Sequence, residues 1–390
     1  MIVPLCTVRE NNRKGKADEV LFCPVSDEHQ LKEFITTIRK LEGYGTIDYL
    51  FLYKKGFPIN PKSELFDGLS AIHAEENIPL GSSGVFFVGS YALFQEGYKV
   101  IVIADIDAIP SSKKILSILL RRAYELQKVA VPLNNPKENI VPAKTYVTNH
   151  WGAFHRSVFE KVGFYTPYMW RGGEDYDFML RLKEAGLLLL LEEIFVYHPR
   201  AGYTIFHKMA EKKKFYPYVA GLLKAFLFHS ERNLLAGLKF IIWYVFYAFY
   251  GDVFSDSDMA MTLSKCNRFT TEYHFTDLTT KIEIKKIKEK AVFPSSFLDK
   301  ISKEVRLLLS LLLSKRALIY TDEITLKISR AELLFGVVRG LLLLPFRFIQ
   351  AFFCLMQWSR ERKKVIYPVT TKNADEAIAI YEKLIKEKKL

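Results

Sequence analysis

The sequence predicts an α/β protein: a parallel sheet with flanking helices over residues 1–200, followed by a mainly helical region over residues 201–390. Three observations carry this. Short Val- and Ile-rich runs alternate with helical stretches, which is the pattern of a parallel sheet with crossover helices. The run Val100 to Ala104 leads straight into Asp105-Ile106-Asp107 and then Pro110 and Ser111, as a buried strand ending in a turn would. Beyond residue 200 the text turns basic and aromatic, and long apolar stretches broken by single charges replace the alternation.

The elements follow in order. The first eighteen residues are ambiguous, with a short strand over Ile2 to Val8 and then a basic turn as one reading. EVLFCPV, from Glu19, is a strand; Ser26-Asp27 supplies an N-cap, and EHQLKEFITTIRKLEG is a helix closed by Gly43. IDYLFLY is the second strand and AIHAEE the third, separated by the Gly/Pro-rich loop KKGFPINPKS. A Gly/Ser turn, Asn77 to Gly84, opens the helix VFFVGSYALFQEG, which leads to the strand before Asp105. That turn lacks the lysine of a phosphate loop, so packing of a helix end on the sheet is its commoner explanation. Then come a helix over Lys113 to Leu126, the strand KVAVPL, the strand TYVTNHWGAFH and the short helix SVFEKVG. The aromatic loop FYTPYMWRGG, the helix EDYDFMLRLKEAG and the apolar run LLLLLEEIFVYH complete the first half.

Composition bounds the function. Lys and Arg outnumber Asp and Glu by 56 to 43, a net charge of +13 that suits an anionic partner. No helix pairs that charge with a recognised nucleic-acid motif, which speaks against nucleic acid as the partner. The aromatics crowd the second half and favour a membrane surface. Cys6, Cys23, Cys266 and Cys354 are far apart and read as reduced thiols of a cytosolic setting. The N-terminus shows no secretory signal, and no window gives eighteen clean apolar residues, so attachment is expected to be peripheral or monotopic at the inner face of the membrane. Arg339 and Arg347 interrupt the stretch Ala331 to Trp358. Either they snorkel from helices lying in an interface, or they are paired inside a helical bundle.

The chemistry concentrates in two acidic motifs. Carboxylates at i and i+2 beyond a strand end can share a hard divalent cation and, through it, a diphosphate; a solvated helix-capping turn is the plain alternative. Glu174-Asp175 opens a helix, where the macrodipole favours negative charge, and Gly172 and Gly173 just before it suit a loop that approaches a ligand closely. Capping the helix and pairing with Arg171 or Arg181 is the alternative there.

Together, ENIPLGSSGVFFVGSYALFQEGY, IVIADIDAIPS, NHWGAFHRSVFEKVGFYTPYMWRGGEDYDFMLRLKEAG and VYH over residues 19–200 resemble the family 2 glycosyltransferases of the GT-A fold, closest to the galactofuranosyltransferase-like branch. The resemblance implies a GT-A nucleotide-binding sheet and a transfer of sugar from a nucleotide-diphosphate donor, a UDP-sugar being favoured, to a glycan or lipid-linked acceptor. It implies Mn2+ or Mg2+ held by Asp105, Asp107 and His198, with Asp105 also near the ribose, and a nucleotide lined by Pro24, Ser26, Asn77 and Ser82. Inverting transfer needs one base for the acceptor hydroxyl; Asp175 is assigned that role, with Glu174 holding the acceptor or substituting. Trp151 with His150 is an acceptor platform or, equally, a core tryptophan; Trp170 and Arg171, with Tyr165 and Tyr168, are placed to close over the acceptor. One departure is that the second strand ends in Lys54-Lys55 where many relatives have an Asp. A degenerate membrane-bound scaffold and a nucleotidyltransferase are the competing readings. Both acidic motifs are intact, against the first, and FCPVSDE has no Gly-rich turn followed by Lys or Arg, against the second.

Overall fold

The computed structural model describes residues 5–134, 147–170, 172–197, 234–253, 330–362 and 365–389, with four short strand segments between 273 and 325. The α/β architecture expected from the sequence is present: a mostly parallel central sheet with flanking helices, and a helical C-terminal region. The strands are β1 (Cys6–Asn11), β2 (Glu19–Val25), β3 (Asp48–Tyr53), β4 (Ser70–Glu76), β5 (Val100–Ala104), β6 (Ile109–Pro110), β7 (Val129–Asn134), β8 (His150–His155) and β9 (Leu188–Tyr197). They form one sheet in the order β1-β4-β3-β2-β5-β8-β7-β9-β6. β4, β3, β2 and β5 run parallel, whereas β8 lies antiparallel between β5 and β7, and β1 closes the far edge antiparallel to β4. The sheet is therefore mixed rather than wholly parallel. A buried strand reads the same in either direction, so its pattern carries no polarity.

Each strand alternates its side chains between two apolar layers. Leu21, Cys23, Phe51 and Val102 face α1 (Glu28–Ile38) and α3 (Ile115–Leu126). Val20, Phe22, Leu50 and Ile101 face α2 (Gly81–Gln95), α4 (Arg156–Val162) and α5 (Glu174–Glu184). α2 is buried from Ser83 to Phe94 without a polar face, because the sheet covers one side and the C-terminal helix α8 (Ala374–Lys386) the other. Gly89 lets it settle on the Phe22 ring, and Gly84 accommodates Tyr381 of α8. The chain thus returns from the 201–390 region to the core of the first.

β2, β3 and β4 step outward from β2, and the chain then crosses to β5 on the opposite side of β2. This places a topological switch point between the carboxyl ends of β2 and β5, where an open α/β sheet offers a crevice to ligands.

Two long apolar helices, α6 (Leu234–Val253) and α7 (Arg330–Arg362), pack on each other. Gly336 and Gly340 of α7 lie against Val253 and Phe249, a small-xxx-small contact that lets the backbones approach. The two arginines do not snorkel. Arg347 makes a nine-tenths-buried bidentate pair with Asp252 at 2.5 and 2.7 Å, and Arg339 donates to the Asp252 carbonyl at 2.7 and 3.0 Å. With the charges turned inward, the outer face of α7 exposes Leu334, Phe335, Leu342, Phe346 and Phe353. By length and composition alone, Leu334–Phe353 is long and apolar enough to cross a membrane, in spite of its two arginines.

Candidate active site

Asp105 and Asp107 occupy the turn beyond β5, at the switch point. The turn is closed by the Ala108 N–H donating to the Asp105 carbonyl at 3.0 Å. Its outer wall is the start of β8. The Asp105 N–H donates to the Asn149 carbonyl at 2.8 Å, and the Asn149 amide returns a bond to Asp105 Oδ2 at 2.8 Å. His150 Nε2 lies 3.3 Å from the same carboxylate oxygen. The β5–β8 register shifts between Ile103 and Ala104, so Trp151 is the extra residue of a bulge, with φ at +64°. Bulges re-aim neighbouring side chains; this one turns Asn149 and His150 onto Asp105. Behind the turn, the buried Cys23 thiol of β2 is pushed up by desolvation and then by the charges of Asp105 and Asp107.

The second acidic motif reaches the site from α5. Its approach loop takes left-handed backbone at Trp170 (φ +62°), Gly172 and Gly173, so the chain turns sharply into Glu174. The loop is clamped to the N-terminus of α2. The Trp170 carbonyl accepts from the Ser83 N–H at 3.4 Å, the Pro167 carbonyl accepts from Ser83 Oγ at 3.0 Å, and a side chain on Gly81 would collide with Trp170.

Glu174 is 6% exposed and its Oε2 is buried with no hydrogen-bond partner, with Ser82 near enough to favour its charged form. Burial first, and then the charge of Asp175, push its pKa up to about 7. Asp175 is half-buried and accepts from the Tyr176 N–H at 2.8 Å. Between the two motifs sits Tyr165, fully buried, its hydroxyl 3.1 Å from Thr148 Oγ1. Desolvation raises its pKa, and the charges of Asp175, Asp105 and Glu174 add to that.

Several expected site residues take other positions or roles. Trp151 is 0% exposed: it packs on Phe34, and its indole N–H donates to the Ala108 carbonyl at 2.8 Å, so it braces the turn and offers no acceptor platform. His150 faces Asp105 rather than open surface. Tyr165 and Tyr168 are core residues; Trp170 is half-buried against α2. Asn77 is exposed beyond β4 and accepts from Thr7 Oγ1 at 2.6 Å, while Pro24 and Ser26 stand at the end of β2 beside the switch point. Arg181 pairs with neither acid of the motif. It holds the fully buried Asp177 at 2.8 Å, and Thr166 and Tyr367 donate to the same carboxylate at 2.8 and 3.0 Å. Arg171 and His198 lie outside the described residues.

Asn149, Asp177 and Tyr367 had no place in the sequence reading. Asp177 and Arg181 are spaced i,i+4, a signal for their pairing that the letters do carry. Among the described residues no three His, Cys, Asp or Glu side chains converge as a metal set. Asp105 and Asp107 nonetheless offer the oxygen donors that a hard cation takes, and a bound diphosphate would supply more, so the turn fits Mn2+ or Mg2+.

No protein-family model matches the chain, and no curated protein is similar to it. Among solved structures the similarities are distant. A mannosyltransferase from Pyrobaculum calidifontis in complex with GDP-Man and Mn2+ aligns with TM-score 0.43 and 12% identity over 66% of this chain and 76% of its own. GalNAc-T7 with UDP, GalNAc and Mn2+ gives TM-score 0.38 and 12% identity, over 54% of this chain and 48% of its own. S. aureus TarS 1-349 in complex with UDP gives TM-score 0.37 and 12% identity, over 68% of this chain and 96% of its own.

Proposed function

We propose that this chain is a metal-dependent, inverting glycosyltransferase of the family 2 type, taking a sugar from a nucleotide-diphosphate donor, a UDP-sugar first, to a hydroxyl of a glycan or lipid-linked acceptor. One observation supports the reading: an Asp-x-Asp turn stands at the switch point of the sheet, its Asp105 held by Asn149 and His150, and an acidic pair opens α5, whose approach loop is clamped to α2.

Asp107 and Asp105 would hold Mn2+ or Mg2+, His198 remaining a proposed third ligand, and the cation would neutralise charge on the departing diphosphate. Asn149 and His150 hold the Asp105 carboxylate in orientation. Pro24, Ser26, Asn77 and Ser82 are the proposed lining of the nucleotide. Asp175, the more accessible acid, takes the acceptor hydroxyl proton as that oxygen bonds to the sugar C1; the bond from C1 to the diphosphate oxygen breaks, and the electron pair leaves with the nucleotide. Glu174, buried near Ser82, shapes the acceptor side of the pocket with Trp170 and Arg171. The outward apolar face of α7 and the net charge of +13 support a seat on an anionic membrane surface, with the catalytic sheet on the cytoplasmic side.

Calorimetric titration with UDP and GDP, with and without Mn2+, tests the donor site. Binding of one nucleotide only with metal, and its loss in Asp107→Ala, is the expected result; absence of binding by either nucleotide would overturn it.

A further inference from the structure

The C-terminal segment 365–389 is built into the two helices that frame the acids. Val365, Ile366 and Tyr367 pack on the core, and the Phe164 N–H donates to the Val369 carbonyl at 2.8 Å. In α8, the Tyr381 hydroxyl donates to the carbonyl of Leu80, the residue before α2, and Tyr91 donates to Asp375 at 2.7 Å. The Tyr367 hydroxyl donates to Asp177 Oδ1 at 3.0 Å, while Oδ2 accepts from Thr166 and Arg181. Asp177 sits in the first turn of α5, together with Glu174 and Asp175.

That turn has little local support. Its N-cap is Gly173 at φ +92°, which offers no side chain to cap the helix, and the loop before it is left-handed at Gly172 and Trp170. Bonds from outside the helix therefore add to its placement. Arg181, one turn along α5 itself, and Thr166, from the loop before it, grip one carboxylate oxygen of Asp177, and Tyr367 takes the other from the C-terminal segment.

We propose that Tyr367 is a positioning residue for catalysis, acting through Asp177 to fix the first turn of α5 and with it Asp175. This rests on the glycosyltransferase reading above. It makes the segment beyond α7 a working part of the site rather than a tail. A displacement of the base by a fraction of an ångström costs rate while leaving the donor pocket intact, so the signature is a separation of kcat from KM.

The test is Tyr367→Phe in the full chain, with Tyr91→Phe as a control that removes a bond from the same segment at a distance from α5. The expected result is a kcat for donor turnover lower by about tenfold, with donor KM and nucleotide affinity within about twofold of the parent. Amide exchange should quicken over Glu174 to Asp177 and stay unchanged in β2, and Tyr91→Phe should keep the parent kcat. An unchanged kcat with unchanged exchange over 174–177, or a kcat loss matched by Tyr91→Phe, would overturn the proposal. If the parent binds neither UDP nor GDP with Mn2+ and turns over no nucleotide sugar, the enzymatic reading fails instead. Exchange over 174–177 then still decides whether Tyr367 fixes the turn.

Discussion

The indole N–H of Trp151 donates to the Ala108 carbonyl across 2.8 Å, tying the bulge of β8 to the turn that carries Asp105 and Asp107. Both partners are fully buried, so no water replaces the bond when it is lost. Trp151→Phe keeps most of the ring volume beside Phe34 but leaves the carbonyl unsatisfied, at a cost of about 1–3 kcal/mol. Thermal unfolding should show that loss, and metal-dependent nucleotide affinity should fall with it as the turn loosens.

The two acids of α5 are separable by substitution. Asp175→Asn should preserve nucleotide binding and lower transfer by about 10²–10⁴-fold, the range for a lost general base. Glu174→Gln should act more on acceptor KM than on kcat. Steady-state kinetics on both variants decides the assignment, and a Glu174→Gln enzyme with the larger kcat loss would exchange the two roles.

Stability should respond to pH through Glu174. Glu174 has a folded pKa of about 7, above its ordinary 4.5, so the folded state holds the proton more tightly. Its contribution to stability is full below about 4.5 and is lost as pH rises to about 7. Glu76, also raised to about 7 by burial, acts with the same sign. His73, lowered by burial to about 4 from 6.5, acts in the opposite direction as pH falls below 6.5. Subtracting the unfolding profile of Glu174→Gln from that of the parent isolates Glu174. The variant should gain on the parent between pH 4.5 and 7 and keep a constant margin above.

Arg347 and Asp252 form a buried pair, so removing one partner strands the other. Arg347→Met should cost about 3–5 kcal/mol in the α6–α7 unit, and adding Asp252→Leu should restore most of it. Proteolysis of the detergent-solubilised chain, read over 234–253 and 330–362, measures both steps.

The outer face of α7 is tested by substitution rather than truncation. Cutting the chain at residue 330 would also remove α8, whose Ile378 and Tyr381 belong to the core, and would confuse unfolding with release. Replacing Phe335, Leu342, Phe346 and Phe353 by Ser should leave the sheet folded and abolish co-sedimentation with vesicles containing anionic lipid. Undiminished sedimentation would place the membrane contact elsewhere.

How much of this was legible depended on range. The Asp-x-Asp strand, the helix opened by Glu174 and the strands from Glu19 onward are local patterns, and each stands within a few residues of its expected place. The bulge at Trp151 was hidden: TYVTNHWGAFH reads as one strand with the tryptophan as platform or core alike, whereas the strand starts at His150 and the bulge places the tryptophan in the core. Partners from distant segments were equally invisible. Arg347 meets a residue 95 positions upstream and Asp177 one 190 positions downstream, and neither pairing leaves a periodic trace in the letters. An amphipathic pattern in Ala374 to Lys386 shows that the helix has an inner face, but not that α2 is what it covers.

The return of α8 to the core has a topological consequence. The described residues of 5–197 and 365–389 fold into one body and so occupy one side of any bilayer. Whatever the chain does between 198 and 364, it must pass through a membrane an even number of times, or not at all. Leu334–Phe353 therefore cannot be a lone crossing. It either has a returning partner within that interval or enters and leaves by the same leaflet, and attaching a reporter within 254–329 would tell the two apart.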